Sequence, residues 1–334
     1  LNSAYGAIGN NWFRYYDLLV AEAITTSGQL SIRWIESAVN DYLNDLLKTD
    51  NEDYIVASDT DSIYVVFDKL VNKVFKEEQD SSRVIPFLDT VAREKIEPFI
   101  NKSYEDLHQY VNSYEQKMQM SREVIADKGI WTAKKRYILN VHDNEGVKYK
   151  EPQLKIMGIE AIKSSTPAPC RQKIKDALKI IMSGDEKMLN TFIQEFREEF
   201  MELTPEDIAY PRSVNGLSKF SDSNQLFAKG APIHVKGAIL YNHLVRKNKL
   251  SNKYPYILEG DKIKFINLKQ PNIYQSSSIS FITSLPKELD FHKIIDYDIQ
   301  FEKSFVEPLK FITDKILWRI DDSYGTAGTL EAFF

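Results

Sequence analysis

The run Asp53-Tyr54-Ile55-Val56-Ala57-Ser58-Asp59-Thr60-Asp61-Ser62-Ile63-Tyr64-Val65-Val66-Phe67-Asp68 organises the chain. Tyr54 to Ala57 and Ile63 to Phe67 are rich in β-branched and aromatic residues, which suit a pleated, half-buried surface. Between them, Ser58 to Ser62 has the chemistry of a turn. The stretch therefore predicts a β-hairpin with two carboxylates at its tip. Asp59 and Asp61 lie two apart, so an extended chain puts both on one face, and a turn aims only one of them inward. Two close acids repel, and a divalent cation relieves the repulsion through hard oxygen ligands. An ordinary Asp-rich turn fits the spacing equally well.

The 334 residues predict two domains. A hydrophobic content of 43% is enough for a sizeable core. No apolar run approaches the roughly 20 residues of a bilayer span, and no secretory leader is visible. The single cysteine, Cys170, excludes an internal disulfide framework and reads more simply as a surface or packing thiol than as a nucleophile. The five histidines have no metal-ligand spacing. The net charge of −5 does not announce a nucleic-acid binder, but its distribution is uneven. Glu36 to Glu123 holds 19 acids and 10 bases, whereas Lys128 to Lys175 holds 11 bases and 4 acids. An acidic block suited to cations precedes a basic block suited to phosphates. The chain starts in mid-pattern and without methionine, which predicts either missing upstream residues or a separate companion polypeptide.

Residues 1 to 16 combine Gly6 and Gly9 with Tyr5, Trp12, Phe13, Tyr15 and Tyr16. The plainest reading is a packed helix end; the other is a backbone that approaches a flat ligand. Periodicity predicts helices over Thr26–Leu47 and Ile85–Val111, the second kinked or divided at Pro98. Strands are expected over Tyr114–Ala126, with Glu123 inside, and over Ile130–Val141, with a turn at His142–Gly146. Trp131-Thr132-Ala133-Lys134-Lys135-Arg136-Tyr137 sets three cations between aromatics on a strand, which suits either a duplex backbone or a solvated edge strand. Lys163-Ser164-Ser165-Thr166 joins a cation to three hydroxyls, with Ser165 or Thr166 expected to cap a helix near Pro167, a seat for phosphate or a plain cap. Helices are expected at Arg171–Ile181, Glu186–Glu202, His234–Arg246 and, broken near Pro308, Ile294–Trp318. Thr204–Pro232 reads as loop, and Tyr256–Leu268 as a hairpin. The tail carries Leu330, Phe333 and Phe334 beyond a Gly/Ser/Asp linker, an arrangement for docking in a partner's groove.

In combination these motifs resemble the family B DNA polymerases, and most closely the T4-type phage group. Asn2-Ser3-Ala4-Tyr5-Gly6 is similar to the end of the fingers motif, and Asp59-Thr60-Asp61-Ser62 to the palm's metal-binding motif. Ser121-Arg122-Glu123 falls where the family keeps another palm acid. Lys134-Lys135-Arg136-Tyr137 resembles the strand that grips the primer–template, and Gly158 to Pro167 the start of the thumb. Leu330, Phe333 and Phe334 resemble a sliding-clamp-binding tail. Ser58 stands where the family usually has glycine.

The resemblance implies an α+β fold, an antiparallel palm sheet with helices followed by a mostly helical thumb. It divides the chain into the end of the fingers (1–16), palm (17–160), thumb (161–320) and clamp-binding tail (321–334). It implies nucleotidyl transfer from dNTP to a primer 3′-OH with two Mg²⁺ ions. Asp61 is then the direct ligand, Asp59 a weaker one and Glu123 a supporting acid. Asn2, Tyr5 and Gly6 would face the nascent base pair. Lys134, Lys135, Arg136, Tyr137, Lys163, Ser164, Ser165 and Thr166 would hold DNA. The implied partners are primer–template DNA, dNTP, a sliding clamp, and an N-terminal part carrying the other catalytic Asp and the exonuclease; the implied place is the cytoplasm of an infected bacterium. A catalytically silent DNA-binding and clamp-tethering subunit would use the same basic strand and tail. A metal-dependent phosphohydrolase built on the Asp pair would leave the ordered motifs unexplained.

Overall fold

A computed structural model describes residues 3–76, 80–222 and 225–321. It divides into two compact units, each with its own hydrophobic core. The first runs to Asp127 and takes Asn140–Gln153; the second takes Lys128–Leu139 and the described residues from Leu154 onward.

In the first unit, α1 (Ala4–Ile8) and α2 (Leu18–Leu47) precede the hairpin of β1 (Ile55–Asp59) and β2 (Ser62–Val65). α2 starts eight residues before the expected Thr26, where the Asp17 side chain accepts from the Val20 N–H at 3.1 Å and caps it. Its buried seam is Ile35, Val39, Leu43 and Leu47, one residue per turn. The first turns add no such seam, which is why periodicity missed them. α3 (Asp68–Phe75) was not foreseen; it is short and buries only Leu70 and Val71.

α4 (Ser81–Val91) leads through a π turn at Ala92–Ile96 into α5 (Glu97–Tyr110). The break expected at Pro98 is this wide turn: the Glu97 N–H reaches five residues back to the Ala92 carbonyl. Proline lacks an N–H and crowds the carbonyl four residues before it, and one extra residue moves that carbonyl away. α5 lays Ile100, Tyr104 and Leu107 on the α2 seam. Tyr42 stacks on Phe99 at 4.3 Å between centroids, and Trp34 Nε1 donates to the Ser103 carbonyl at 3.0 Å.

Residues 112–123 are irregular, so the strand expected over Tyr114–Ala126 is corrected: β3 is Val124–Ala133. β4 is Arg136–Asn144 and β5 Val147–Met157, giving a sheet in the order β3-β4-β5. The turn between β4 and β5 narrows to Glu145-Gly146, with positive φ at both.

The second unit continues with α6 (Ala168–Ser183), α7 (Glu186–Met201), the single turn α8 (Pro205–Ile208) and β6 (Tyr210–Ser213). After them come α9 (Leu217–Phe220), β7 (Ser221–Asp222), β8 (Leu226–Phe227) and α10 (Ile233–Lys247). The loop expected over Thr204–Pro232 thus holds five short elements. No Ser165 or Thr166 side chain caps α6; Pro167 occupies the cap position itself. Asp185 does cap α7, accepting from the Met188 N–H at 2.8 Å.

β9 (Lys262–Asn267) pairs antiparallel with β10 (Ser278–Phe281) and β6, not within Tyr256–Leu268 as expected. A turn does precede β9 at Glu259-Gly260, but the strand partners lie at 210–213 and 278–281. Gly237 of α10 lets β10 come close: a Cβ there would stand 2.6 Å from Ser280 Oγ. α11 (Tyr297–Phe301), a second π turn at Glu302–Val306 and α12 (Glu307–Thr313) complete the core, the turn again just before a Glu-Pro pair. Phe196, Phe200, Phe301 and Phe305 interlock there, Phe196 and Phe305 edge to face at 4.7 Å. Cys170 is fully buried beside Ser304, and burial pushes its thiol up to about 11. It is a packing thiol, as its simpler reading held.

Candidate active site and nucleic-acid interface

The acidic hairpin turns on two residues, Thr60 and Asp61, with Thr60 in the left-handed region at φ 56°. Asp59 pairs with Ser62 as the last rung of the ladder. Its carbonyl accepts from the Asp61 N–H at 2.6 Å and from Ser62 Oγ at 3.1 Å, and its carboxylate accepts from Thr60 Oγ1 at 3.0 Å. The even-odd rule of an extended chain therefore stops at Asp59. Asp61 stands in the turn and exposed, and Asp59 is half-buried at the strand end.

α2 holds the hairpin by a row of side chains one helical turn apart. Glu36 Oε2 accepts from Ser58 Oγ at 3.2 Å. Asn40 accepts from the Tyr54 N–H at 2.8 Å and donates to Asp53 Oδ1 at 3.0 Å. Asn44 closes both bonds to the Glu52 backbone, at 2.8 and 2.9 Å, and accepts from Thr49 Oγ1 at 2.8 Å. Sequence reasoning missed Asn40 and Asn44, which look like any solvated helix face until their partners are known. Tyr104 of α5 is a further neighbour. Burial raises its phenol above the ordinary value, a bond to Ser31 opposes this, and the negative charge of Asp61 adds to the rise.

Two carboxylates and a backbone carbonyl are hard donors of the right type for a divalent cation. Among the described residues no group of three or more His, Cys, Asp or Glu is arranged to hold one. The hairpin's donors thus fit such an ion in kind and would supply only part of a coordination sphere.

Glu123 lies exposed one residue before β3, not within a strand as expected. Its carbonyl accepts from the Glu145 N–H at 2.6 Å. The preceding Arg122 anchors the segment: its backbone N–H reaches Glu97 Oε1 at 2.7 Å, and its guanidinium bonds to Asp89 at 2.6 Å and to the fully buried Asp143. Arg122 was another residue that its sequence context did not mark.

Tyr5 and Gly6 sit on α1, Tyr5 half exposed, and a Cβ on Gly6 would meet nothing within 4 Å. The packed helix end expected here is not what forms. Trp12 is 95% and Leu19 77% exposed, with Phe13, Tyr15, Tyr16, Leu18 and Val20 also at the surface. Asn2, Leu330, Phe333 and Phe334 lie outside the described residues.

Lys134 and Lys135 form the two-residue turn between β3 and β4, rather than lying on a strand, with Lys135 at φ 61°. Both side chains are exposed, while Tyr137 is buried beside Trp131. Arg136 is half-buried, 4.7 Å from the centre of the Phe311 ring. Lys163 and Ser164 lie at the surface of the following loop, Ser165 is half-buried, and Thr166 is buried with its N–H on the Lys163 carbonyl at 3.1 Å.

No protein-family profile matches the chain. It is 39% identical over 327 residues to the DNA-directed DNA polymerase of Escherichia phage RB69, covering 94% of this chain and 36% of the relative. It is 38% identical over 325 residues to the DNA-directed DNA polymerase of Enterobacteria phage T4, covering 92% of this chain and 35% of the relative. The chain therefore spans about a third of the length of these relatives, in their C-terminal portion.

Proposed function

We propose that this chain, a relative of the T4-type phage DNA polymerases of family B, takes part in template-directed DNA synthesis. The observation that carries the reading is the Asp59–Asp61 hairpin, a rigidly mounted acidic tip in a chain similar to DNA polymerases along 94% of its length. Palm, thumb, fingers end and clamp-binding tail are assigned as the sequence divides them, at 17–160, 161–320, 1–16 and 321–334.

The reaction joins the primer 3′-oxygen to the α-phosphorus of a dNTP and releases pyrophosphate. Asp61, and less directly Asp59, would hold two Mg²⁺ ions, which when bound supply charge neutralisation for the attacking and leaving oxygens. The hairpin's part is to hold these carboxylates still, through the Glu36, Asn40 and Asn44 bonds. Glu123 is a supporting acid. Tyr5, Gly6 and Asn2 sense the shape of the nascent pair. Lys134 and Lys135 grip backbone phosphates, with Arg136 and Tyr137 behind them, and Lys163 to Thr166 contact phosphates further along. Leu330, Phe333 and Phe334 dock on a sliding clamp.

The remaining metal-binding Asp and the exonuclease come from polypeptide corresponding to the part of the relatives that this chain does not span. The large apolar side chains exposed between Tyr5 and Val20 support that partner, because so many bare in one short stretch suit an interaction site. The reading places the protein in the cytoplasm of an infected bacterium; no described helix is long and apolar enough to cross a membrane.

The test is primer extension by the chain joined with that complement, in Mg²⁺ and in chelator. Mg²⁺-dependent extension that neither part gives alone is expected. DNA binding without any extension would replace the reading with the tethering subunit.

A further inference from the structure

The basic turn and the loop after β5 meet at one carboxylate. Glu160 Oε2 accepts from Arg136 Nη2 at 2.7 Å, and Glu160 Oε1 accepts from Lys163 Nζ at 2.8 Å. The carboxylate is only 22% exposed, so water screens these bonds less than it would on an open surface. Arg136 faces inward between this carboxylate and the Phe311 ring. Gly158 fixes the same place from the other side: at φ 67°, a Cβ there would stand 2.3 Å from the Lys135 carbonyl and 3.0 Å from Arg136 Cγ. The turn is thus pressed onto the end of β5 and joined to the loop through Glu160.

By charge alone, an anion in this position weakens the field that draws phosphates. Its geometry does the opposite work. We propose that Glu160 is a positioning residue for bound DNA, whose carboxylate spans Arg136 and Lys163 and so fixes the Lys134–Lys135 turn and the Lys163–Thr166 loop as one platform for successive backbone phosphates. The inference rests on the reading of that turn as a DNA grip and deepens it. Lys134 and Lys135 are the phosphate ligands, Arg136 is part of their mount, and Lys163 is held on line with them.

The two roles of Glu160 predict opposite signs. Binding of the 334-residue chain to a primer–template duplex is followed by fluorescence anisotropy across a salt series. Glu160→Gln can accept at only one of its two positions, and Glu160→Asp keeps the charge but loses reach. Each is expected to weaken binding about tenfold, the scale of one lost charge-assisted bond, and to flatten the salt slope by about one. Tighter binding by Glu160→Gln with Glu160→Asp unchanged would make Glu160 a mere charge and overturn the proposal. Loss of a cooperative melt in both variants would make it a residue of the fold and overturn it equally. Lys134→Ala with Lys135→Ala runs alongside. If that pair binds like the parent, the DNA reading itself has failed; if it binds weakly while Glu160→Gln binds tightly, only the positioning inference has.

Discussion

The two hairpins of the candidate site are built alike and charged oppositely. Each turns on two residues, and each sets a non-glycine residue at positive φ, Thr60 at 56° and Lys135 at 61°. One displays Asp61 and the other Lys134 and Lys135. Their mounts differ in kind. The acidic tip is held by neutral and acidic side chains of one long helix, through bonds mostly to backbone. The basic tip is held by close approach at Gly158 and by a charge pair at Glu160. The α2 side chains behind the acidic tip, Glu36, Asn40 and Asn44, carry no positive charge, whereas an anion, Glu160, stands behind the basic tip. The hairpin is a generic bracket; the chemistry lies in the tip and the precision in what stands behind it.

The largest expected effect breaks the acidic side alone. In the complemented polymerase, Asp61→Asn should lower turnover about a thousandfold, the scale on which losing a group that meets reacting charge is felt, with primer–template affinity nearly kept. Turnover near that of the parent would end the ligand assignment. Breaking the basic side should give the mirror image. Lys134→Ala with Lys135→Ala should weaken DNA binding at least about tenfold and lower the salt slope by about two, one for each phosphate contact. An unchanged slope would leave these lysines as a solvated turn with no part in DNA binding. The smallest effect sharpens the contrast between mounts. Asn44→Ala removes both bonds to Glu52 and should cost about 2 kcal/mol in urea unfolding, with the binding slope untouched. A cost under about 0.5 kcal/mol would mean that the hairpin does not depend on this helix.

What could be read in advance follows from how far apart the deciding residues lie. Asp59 and Asp61 sit inside one local pattern, and the hairpin follows from the strand runs on either side. The seam of α2 is likewise local. Glu160 is legible only once residue 136 is known to stand beside it. Asn40 and Asn44 resemble a wet face because most of their partners are backbone atoms, which no side-chain pattern reveals. The Lys134–Lys135 turn reads as strand because strand-forming residues run up to it on both sides and no glycine marks it. The hairpin expected over Tyr256–Leu268 failed for the same reason of distance, since β9 finds its neighbours at 210–213 and 278–281. The apolar face from Trp12 to Val20 misled the reading in the other direction. A packed end was expected, and the chain leaves it bare.

The two π turns also bear on how such a chain tolerates change in length. Each is a helix carrying one residue more than its hydrogen bonds need, so it works like a threaded joint. Removing one residue from 92–96 would close the wide turn to an ordinary one, and the faces on either side, Val84 and Ile85 of α4 and Ile100, Tyr104 and Leu107 of α5, would keep their register. What the deletion takes away is the room made for Pro98, whose ring then meets the carbonyl four residues before it. Single-residue deletions should therefore be far less welcome in these two turns than in the irregular stretch at 112–123, although both look equally expendable on a list of aligned letters.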